Sequence, residues 1–503
     1  MDAPLLKEDN SEVNNNNNHH HHSVDVIMSN QNIKDKDNDN DKILNYLSPI
    51  ITAVGNFSVQ YNFQAIGIAL YVMSEVECTM DDVQCQAGHQ KNWVGGNAQA
   101  VIFAGAIIGQ LTMGYAGDVL GRTKAMIVTL SLATLGALLS SSASVGSAAS
   151  VYSTIIVTRF FLGVGLGGVY PLSATKAAED GASHGDNNKN NKVDPSAAAK
   201  AFFWQAPGAM GPWLIALLYT ISHNNDVDAE WRLILGLGAI PTAFSVCCAI
   251  TEDYIKRHKP ISIQMASKRS VSFPSIWTSL SDKKNLFKLL VTGGTWYLYD
   301  IVFYGVSIFG GKIVKSIDDQ SVQNDVVNNI DKIAGQNLIA LFMGVPATLL
   351  SIYAIKRIGI RKLQVLGFII IGLFLFLFAG LYKFCENHNY NNTLFGIYCL
   401  LLFSLNFGPN VTTYVLPAQT YPKDIRSTFN GISAAMGKLG AVTGCYLFNI
   451  KNFVLIMVIG GFISMLGALL SLFINEDEEE KSINEDGTNE TKNIIRINEI
   501  DTH

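Results

Sequence analysis

Long apolar windows separated by short polar connections run through most of this chain, and each window is long enough to cross a bilayer as a helix. A crossing takes about 20 predominantly apolar residues. Such windows occur at 43–72, 93–116, 125–142, 152–175, 198–221 and 233–251, and again, after a polar stretch at 252–284, at 286–314, 338–355, 363–382, 394–417, 428–449 and 453–473. The pattern predicts twelve spans, six on each side of the polar stretch. It divides the chain into a disordered Asn/His-rich tail at 1–41, a six-helix bundle at 42–252, a linker at 253–285, a second six-helix bundle at 286–474 and an acidic disordered tail at 475–503.

Composition supports a membrane protein. The 503 residues are 49% hydrophobic and 15% charged, whereas about a quarter of residues are charged in soluble domains. An all-α protein embedded in the lipid bilayer is therefore expected. The net charge of −5 resides mainly in tails and loops and points to no nucleic-acid partner. Basic residues mark the sidedness: Arg122 and Lys124, Lys189 and Lys192, the cluster from Lys256 to Lys284, and Lys356, Arg357, Arg361 and Lys362 all fall in even-numbered connections. By the positive-inside rule, both termini are expected in the cytoplasm of a multi-pass plasma-membrane protein. The first span lies too far from the start to be a cleaved signal peptide.

The tails are too polar to bury a core. Four adjacent His residues, His19 to His22, follow an Asn run; with no second ligand cluster they predict no metal, and nothing in the chain calls for a cofactor. Cys78 and Cys85 in the first outer loop could pair in an oxidising compartment, and Cys385 falls in another outer loop. Cys247, Cys248, Cys399 and Cys445 lie in spans and read as small core residues. Asn391-Asn392-Thr393 fits the Asn-x-Thr acceptor pattern in an outward-facing loop.

Ionisable groups inside spans are costly and mark function. Asp300, in GGTWYLYDIVFYG, has no charged neighbour for ten residues on either side. Trp296, Asp300 and Tyr304 are spaced four apart and share one helix face, where an indole, a carboxylate and a phenol suit a polar anion and a proton. Lys438, in NGISAAMGKLGAVTG, is a lone cation near mid-span, and pairing with Asp300 would satisfy both charges. Blander readings stand beside these: a helix–helix hydrogen bond for Asp300 and snorkelling for Lys438. A third segment, RFFLGVGLGGVYPLSATKAAE from Arg159 to Glu179, combines Gly163, Gly165, Gly167 and Gly168 with a Tyr170-Pro171 break. Small residues of this kind let two membrane helices approach closely.

These motifs carry a family resemblance. GYAGDVLGRTK, with Gly114, Asp118, Gly121, Arg122 and Lys124, resembles the GxxxDxxGRxK loop of the major facilitator superfamily, in which the Asp and Arg form an inner latch between bundles. Asp118 and Arg122 are thereby candidates for an inner gate. The matching loop of the second half, AIKRIGIRK, keeps Gly359 and a basic pair, as in a diverged six-helix repeat. The Arg159–Glu179 segment resembles the fourth helix of the phosphate:proton symporter family, RFxLGxGxGGDYPLSAxxxxE, and Asn406–Ala441 resembles that family's tenth and eleventh helices. The resemblance implies a major facilitator fold of twelve transmembrane helices in two six-helix bundles. It also implies that phosphate is held by Tyr170, Gln205, Trp296, Asp300, Tyr304, Asn410 and Lys438.

The chain departs from that family where the family carries acids, offering Val59, Asn62, Thr129, Val169 and Gln419 instead. Asp300 is the acid that remains for proton coupling. Phosphate transport coupled through Asp300 alone, or uncoupled, is the first expectation. A pocket drifted to another small anion or polar solute, such as an organic anion, sugar or polyol, and a transport-inactive membrane sensor are the alternatives. No nucleophile–base pair or metal-ligand spacing supports an enzyme.

Overall fold

The computed structural model describes residues 12–80, 94–143, 148–183, 195–222, 226–258, 278–318, 326–388, 390–448 and 452–474. Among them every regular element is a helix. Eight helical segments are long and apolar enough to cross a membrane: Val94–Leu120, Arg122–Ser141, Ala149–Asp180, Val227–Arg257, Ile330–Ile358, Ile360–Asn387, Asn391–Thr420 and Phe453–Ser471. They are the second, third, fourth, sixth, eighth, ninth, tenth and twelfth spans of the hydropathy pattern. The remaining four are less apolar for physical reasons. The first buries Asn56, Ser58, Gln60, Asn62 and Gln64, the seventh Asp300 and the eleventh Lys438, while the fifth is broken at Phe203–Trp204 into Pro195–Phe202 and Gln205–Ile221.

Neighbouring helices pack in a pattern that repeats at a six-span interval. In the first half, the first span packs on the fifth and the third on the sixth; in the second half, the seventh packs on the eleventh and the ninth on the twelfth. Between the halves, the second span meets the eleventh and the fifth meets the eighth, two contacts that a six-span shift exchanges. This is the packing of two related repeats about a pseudo-two-fold axis. The loops between second and third and between eighth and ninth spans repeat as well. Gly121 (φ 91°, ψ 151°) and Gly359 (φ 80°, ψ 167°) hold nearly the same left-handed turn, a conformation that side chains other than hydrogen resist.

Small residues set the closest helix contact. A methyl group on Gly105, Gly109, Gly163 or Gly167 would fall on the backbone carbonyls of Phe160, Val164, Ile102 and Ala106 respectively, so the second and fourth spans interlock backbone to backbone. Outward-facing Leu135, Phe161, Ile240 and Phe462 are more than half exposed, as suits lipid contact.

Three details differ from the sequence pattern. The first helix runs Glu12–Met80, back through the polar residues 12–41 for which low apolar content predicts disorder; lengthening an existing helix avoids the cost of nucleating one. Cys385 is buried in the helix Ile360–Asn387 rather than placed in a loop, and Asn391 begins the helix Asn391–Asn406. Cys85, and with it the Cys78 pairing, lies outside the described residues, as do residues 1–11 and the tail at 475–503.

Candidate functional site

The seventh span, Lys283–Ile308, presents Trp296, Asp300 and Tyr304 to the middle of the molecule, as their spacing predicts. The eleventh span, Arg426–Leu447, packs closely enough to reach them because Gly437, Gly440 and Gly444 leave space for the Trp296 ring and for the backbone of Tyr297 and Ile301. Lys438 is thereby brought to 2.8 Å from the Asp300 carboxylate and 3.1 Å from the Tyr304 hydroxyl, to which it donates. Both charged side chains are essentially sealed from solvent. The expected pair forms, so the snorkelling alternative for Lys438 fails.

Aromatic rings seal the pair. Phe63 of the first span, Phe103 of the second, Tyr170 of the fourth and Tyr304 place their ring centroids 4.4–5.9 Å from the Lys438 nitrogen, a cation–π arrangement in a dry surround. Tyr170 lies roughly parallel to Trp296, with centroids 6.4 Å apart, and its buried hydroxyl lies beside the Tyr304 hydroxyl and the Gln205 amide. Asp300 and Lys438 thus neutralise each other where water cannot, and a polar ligand entering here meets an ammonium and phenol and indole donors.

Gln205 and Asn410 lie on a second, adjoining surface. Each sits at the start of a helix after a break: Gln205 follows the turn at Phe203–Trp204, and Asn410 follows Gly408 and Pro409, where the tenth span divides into Asn391–Asn406 and Pro409–Thr420. Gln205 and Asn410 line a small cavity together with Gln60, Gln64, Ser307 and Asn406. Asn410 donates to Asn406 at 2.8 Å. The two surfaces connect through Tyr304, whose hydroxyl donates to Gln60 at 3.4 Å. All seven residues singled out from the sequence are therefore buried, five at the ion pair and two on the adjoining cavity.

The first span supplies residues that a search for buried charge passes over. Asn56, Gln60 and Gln64 recur every fourth position and form one stripe. Across the boundary between halves, Asn56 donates to Tyr414 at 3.3 Å and Gln64 to Ser307 at 3.2 Å. Their common spacing was the available signal.

Asp118 and Arg122 also meet the opposite half. Ile425, which precedes the eleventh span, has no side chain able to cap it. Asp118 from the second span performs that role: it accepts from the backbone N–H of Ser427 (3.3 Å) and Thr428 (2.7 Å) and from the Thr428 hydroxyl (2.5 Å). A carboxylate at a helix N-terminus satisfies free donors and the helix dipole together. Arg122 pairs with Asp118 (2.8 Å) and Glu179 (3.0 Å) and donates to the Lys423 carbonyl (3.3 Å). Asp118→Asn, which weakens this cap taken from the other half, is expected to separate spin labels placed at Leu120 and Lys423, shifting the population of the closed arrangement about tenfold; an unchanged distance distribution would rule out a latch here.

The positions that lack acids are filled by neutral packing. Val59, Asn62, Thr129 and Val169 are fully buried, and Gln419 nearly so. Thr129 donates to the Gly165 carbonyl at 2.6 Å, and Asn62 donates to the carbonyls of Ser58 and Gly238. Arg159, also fully buried, donates to the Asn62 carbonyl and forms no ion pair among the described residues.

Two related six-helix halves around a sealed ion pair, joined by polar contacts across their boundary, define a membrane carrier. Residues 52–445 match the family model of the Major Facilitator Superfamily. The inorganic phosphate transporter PT2 of Toxoplasma gondii is 33% identical over 431 residues, covering 85% of this chain and 71% of that protein. The probable inorganic phosphate transporter 1-7 of Arabidopsis thaliana is 28% identical over 502 residues, covering 88% and 92%. Among solved structures, the proton:xylose symporter XylE bound to 6-bromo-6-deoxy-D-glucose superimposes with a TM-score of 0.65 at 15% identity, covering 87% of this chain and 97% of that one; at that identity the likeness concerns the fold. The chain belongs to the Major Facilitator Superfamily and, within it, to the inorganic phosphate transporters.

Proposed function

We propose that this protein carries inorganic phosphate across a membrane by alternating access, with Tyr170, Gln205, Trp296, Asp300, Tyr304, Asn410 and Lys438 as its binding residues. The observation that carries the reading is the buried Lys438–Asp300 pair with Tyr304 and Tyr170 against it. Lys438 supplies the charge that an oxyanion needs, and the phenols, indole and amides supply donors whose bonds to an anion are strengthened by its charge. When phosphate enters, Lys438 turns from Asp300 to the ligand, and Asp300 takes a proton so that two negative groups do not share one desolvated site. Substrate and proton then bind together and leave together. Release follows rocking of the two halves and opening of the Asp118–Arg122 contacts.

Neutral residues at 59, 62, 129, 169 and 419 favour coupling through Asp300 alone or none at all. The basic even-numbered connections support cytoplasmic termini, and a plasma-membrane location is proposed with them. In proteoliposomes containing the purified protein, labelled phosphate uptake is expected to be inhibited by arsenate and insensitive to sugars. Its dependence on an imposed pH gradient should be shallow. Sugar competition would transfer the reading to a polar solute, and a steep acceleration on acidification that survives Asp300→Asn would reveal a proton route outside Asp300.

A further inference from the structure

The first-span amides face the cavity beside the ion pair, and their unused atoms specify what kind of oxyanion fits. Lys438 can only donate, so its bond to the Tyr304 hydroxyl oxygen sends the Tyr304 proton onward to Gln60 Oε1. That contact uses Oε1 and leaves Gln60 Nε2, a donor, unpaired in a side chain that lines the cavity. Gln64 Nε2 donates to the Ser307 hydroxyl and leaves Oε1, an acceptor. Gln205 adds a second donor, Nε2. Gln60 Nε2 and Gln64 Oε1 are buried without a hydrogen-bond partner, Gln205 Nε2 lies within reach of the Tyr170 hydroxyl, and all three side chains line the same cavity.

We infer that Gln60 and Gln64 form a neutral amide subsite that receives the hydrogen-bearing part of the oxyanion and selects protonated tetrahedral oxyanions over sulfate. The inference rests on the phosphate-carrier reading above. A fully deprotonated oxyanion such as sulfate offers acceptors only; it satisfies the two donors but leaves Gln64 Oε1 buried and unpaired. A P–OH or As–OH group satisfies that acceptor. A site built to hydrogen-bond a substrate hydroxyl discriminates strongly against an analogue lacking it, because its own polar atoms are then stranded. Amides suit this task where lysine or arginine would not, since each presents a donor and an acceptor whichever way it is turned.

The cavity also couples the subsite to movement. Its space amounts to about 20 Å³, room for roughly one water molecule, so an oxyanion enters only as the first and seventh spans separate. The bonds from Tyr304 to Gln60 and from Gln64 to Ser307 are the ones it replaces.

Thermal stabilisation of the purified, full-length protein by phosphate, arsenate and sulfate, together with labelled phosphate uptake in proteoliposomes, tests this. Wild-type protein should respond to phosphate and arsenate and not to sulfate. Gln64→Met, which removes the acceptor at similar volume, should raise the phosphate KM about tenfold and erase the preference over sulfate. Gln64→Glu, which keeps an acceptor, should retain that preference. Gln364→Met, in a buried glutamine bonded to Ser471 between the ninth and twelfth spans, controls for loss of any interior amide and should leave KM unchanged. If Gln64→Met is not recovered monodisperse, Gln60→Met carries the test through KM: it removes a donor and should raise KM about tenfold while sulfate stays excluded by Gln64. Unchanged KM and sulfate exclusion in the recovered variant overturn the subsite while leaving phosphate transport intact; a wild-type protein indifferent to phosphate overturns both.

Discussion

Lys438→Ala is expected to abolish phosphate uptake and to destabilise the protein by about 3–5 kcal/mol, because it strips Asp300 of its partner in a desolvated aromatic surround, where the carboxyl must either stay unpaired or take up a proton. The pair is buried on both sides and separated by 2.8 Å, so neither charge has solvent to fall back on. Asp300→Ala should show the mirror effect, with an unpaired ammonium. The double variant separates stability from function: with both charges gone, thermal stability in detergent should recover most of the loss, while uptake remains at the level of empty liposomes. A single variant transporting at the wild-type rate would remove Lys438 and Asp300 from the binding site. A double variant as unstable as either single one would show that the side chains hold the seventh and eleventh spans together by shape rather than by charge.

Gly163→Val should prevent recovery of folded protein. Its added side chain is directed at the Ile102 carbonyl, and the backbone of a helix cannot swing aside as a flexible side chain does. The second and fourth spans would have to part, taking with them the glycine contacts at Gly105, Gly109 and Gly167. Gly163→Ala should lie between, folding with a thermal midpoint lowered by several degrees, as about 1–3 kcal/mol of overpacking requires. Gly380→Ala, where nothing lies within 4 Å of the added methyl, should leave size-exclusion profile and midpoint unchanged. Equal behaviour of all three variants would mean that the interlock contributes nothing.

Hydropathy made the spans legible because lipid imposes one length on every crossing helix, and charge made Asp300 and Lys438 legible because ionised groups are rare at that depth. Trp296 and Tyr304 followed from the four-residue spacing. Gln60 and Gln64 carry no charge, and without knowing which face of the first span turns inward their stripe looks like ordinary polar dilution. Breaks at Phe203–Trp204 and Met343 fall one turn before Pro207 and Pro346, whose rings remove a backbone donor and crowd the carbonyl four residues back; a hydropathy window passes over them because proline there leaves the apolar run uninterrupted. The latch residues were legible as a motif, but not the manner of their contact. That Asp118 serves as the missing cap of a helix in the opposite half depends on Ile425 being unable to serve.

A central site with one carboxylate also sets an electrical limit. A phosphate monoanion that crosses together with one proton on Asp300 moves no net charge, and the membrane voltage neither helps nor opposes it. Without that proton, each cycle carries one negative charge, and an inside-negative potential of about 100 mV opposes entry by about 2.3 kcal/mol, roughly a fiftyfold concentration ratio at balance. A carrier with a second buried acid could add a second proton and let voltage drive uptake. If Asp300 is the single proton carrier, with neutral Val59, Asn62, Thr129, Val169 and Gln419, electrical neutrality is the limit of the proposed cycle, and a cycle that misses its proton would run preferentially outward.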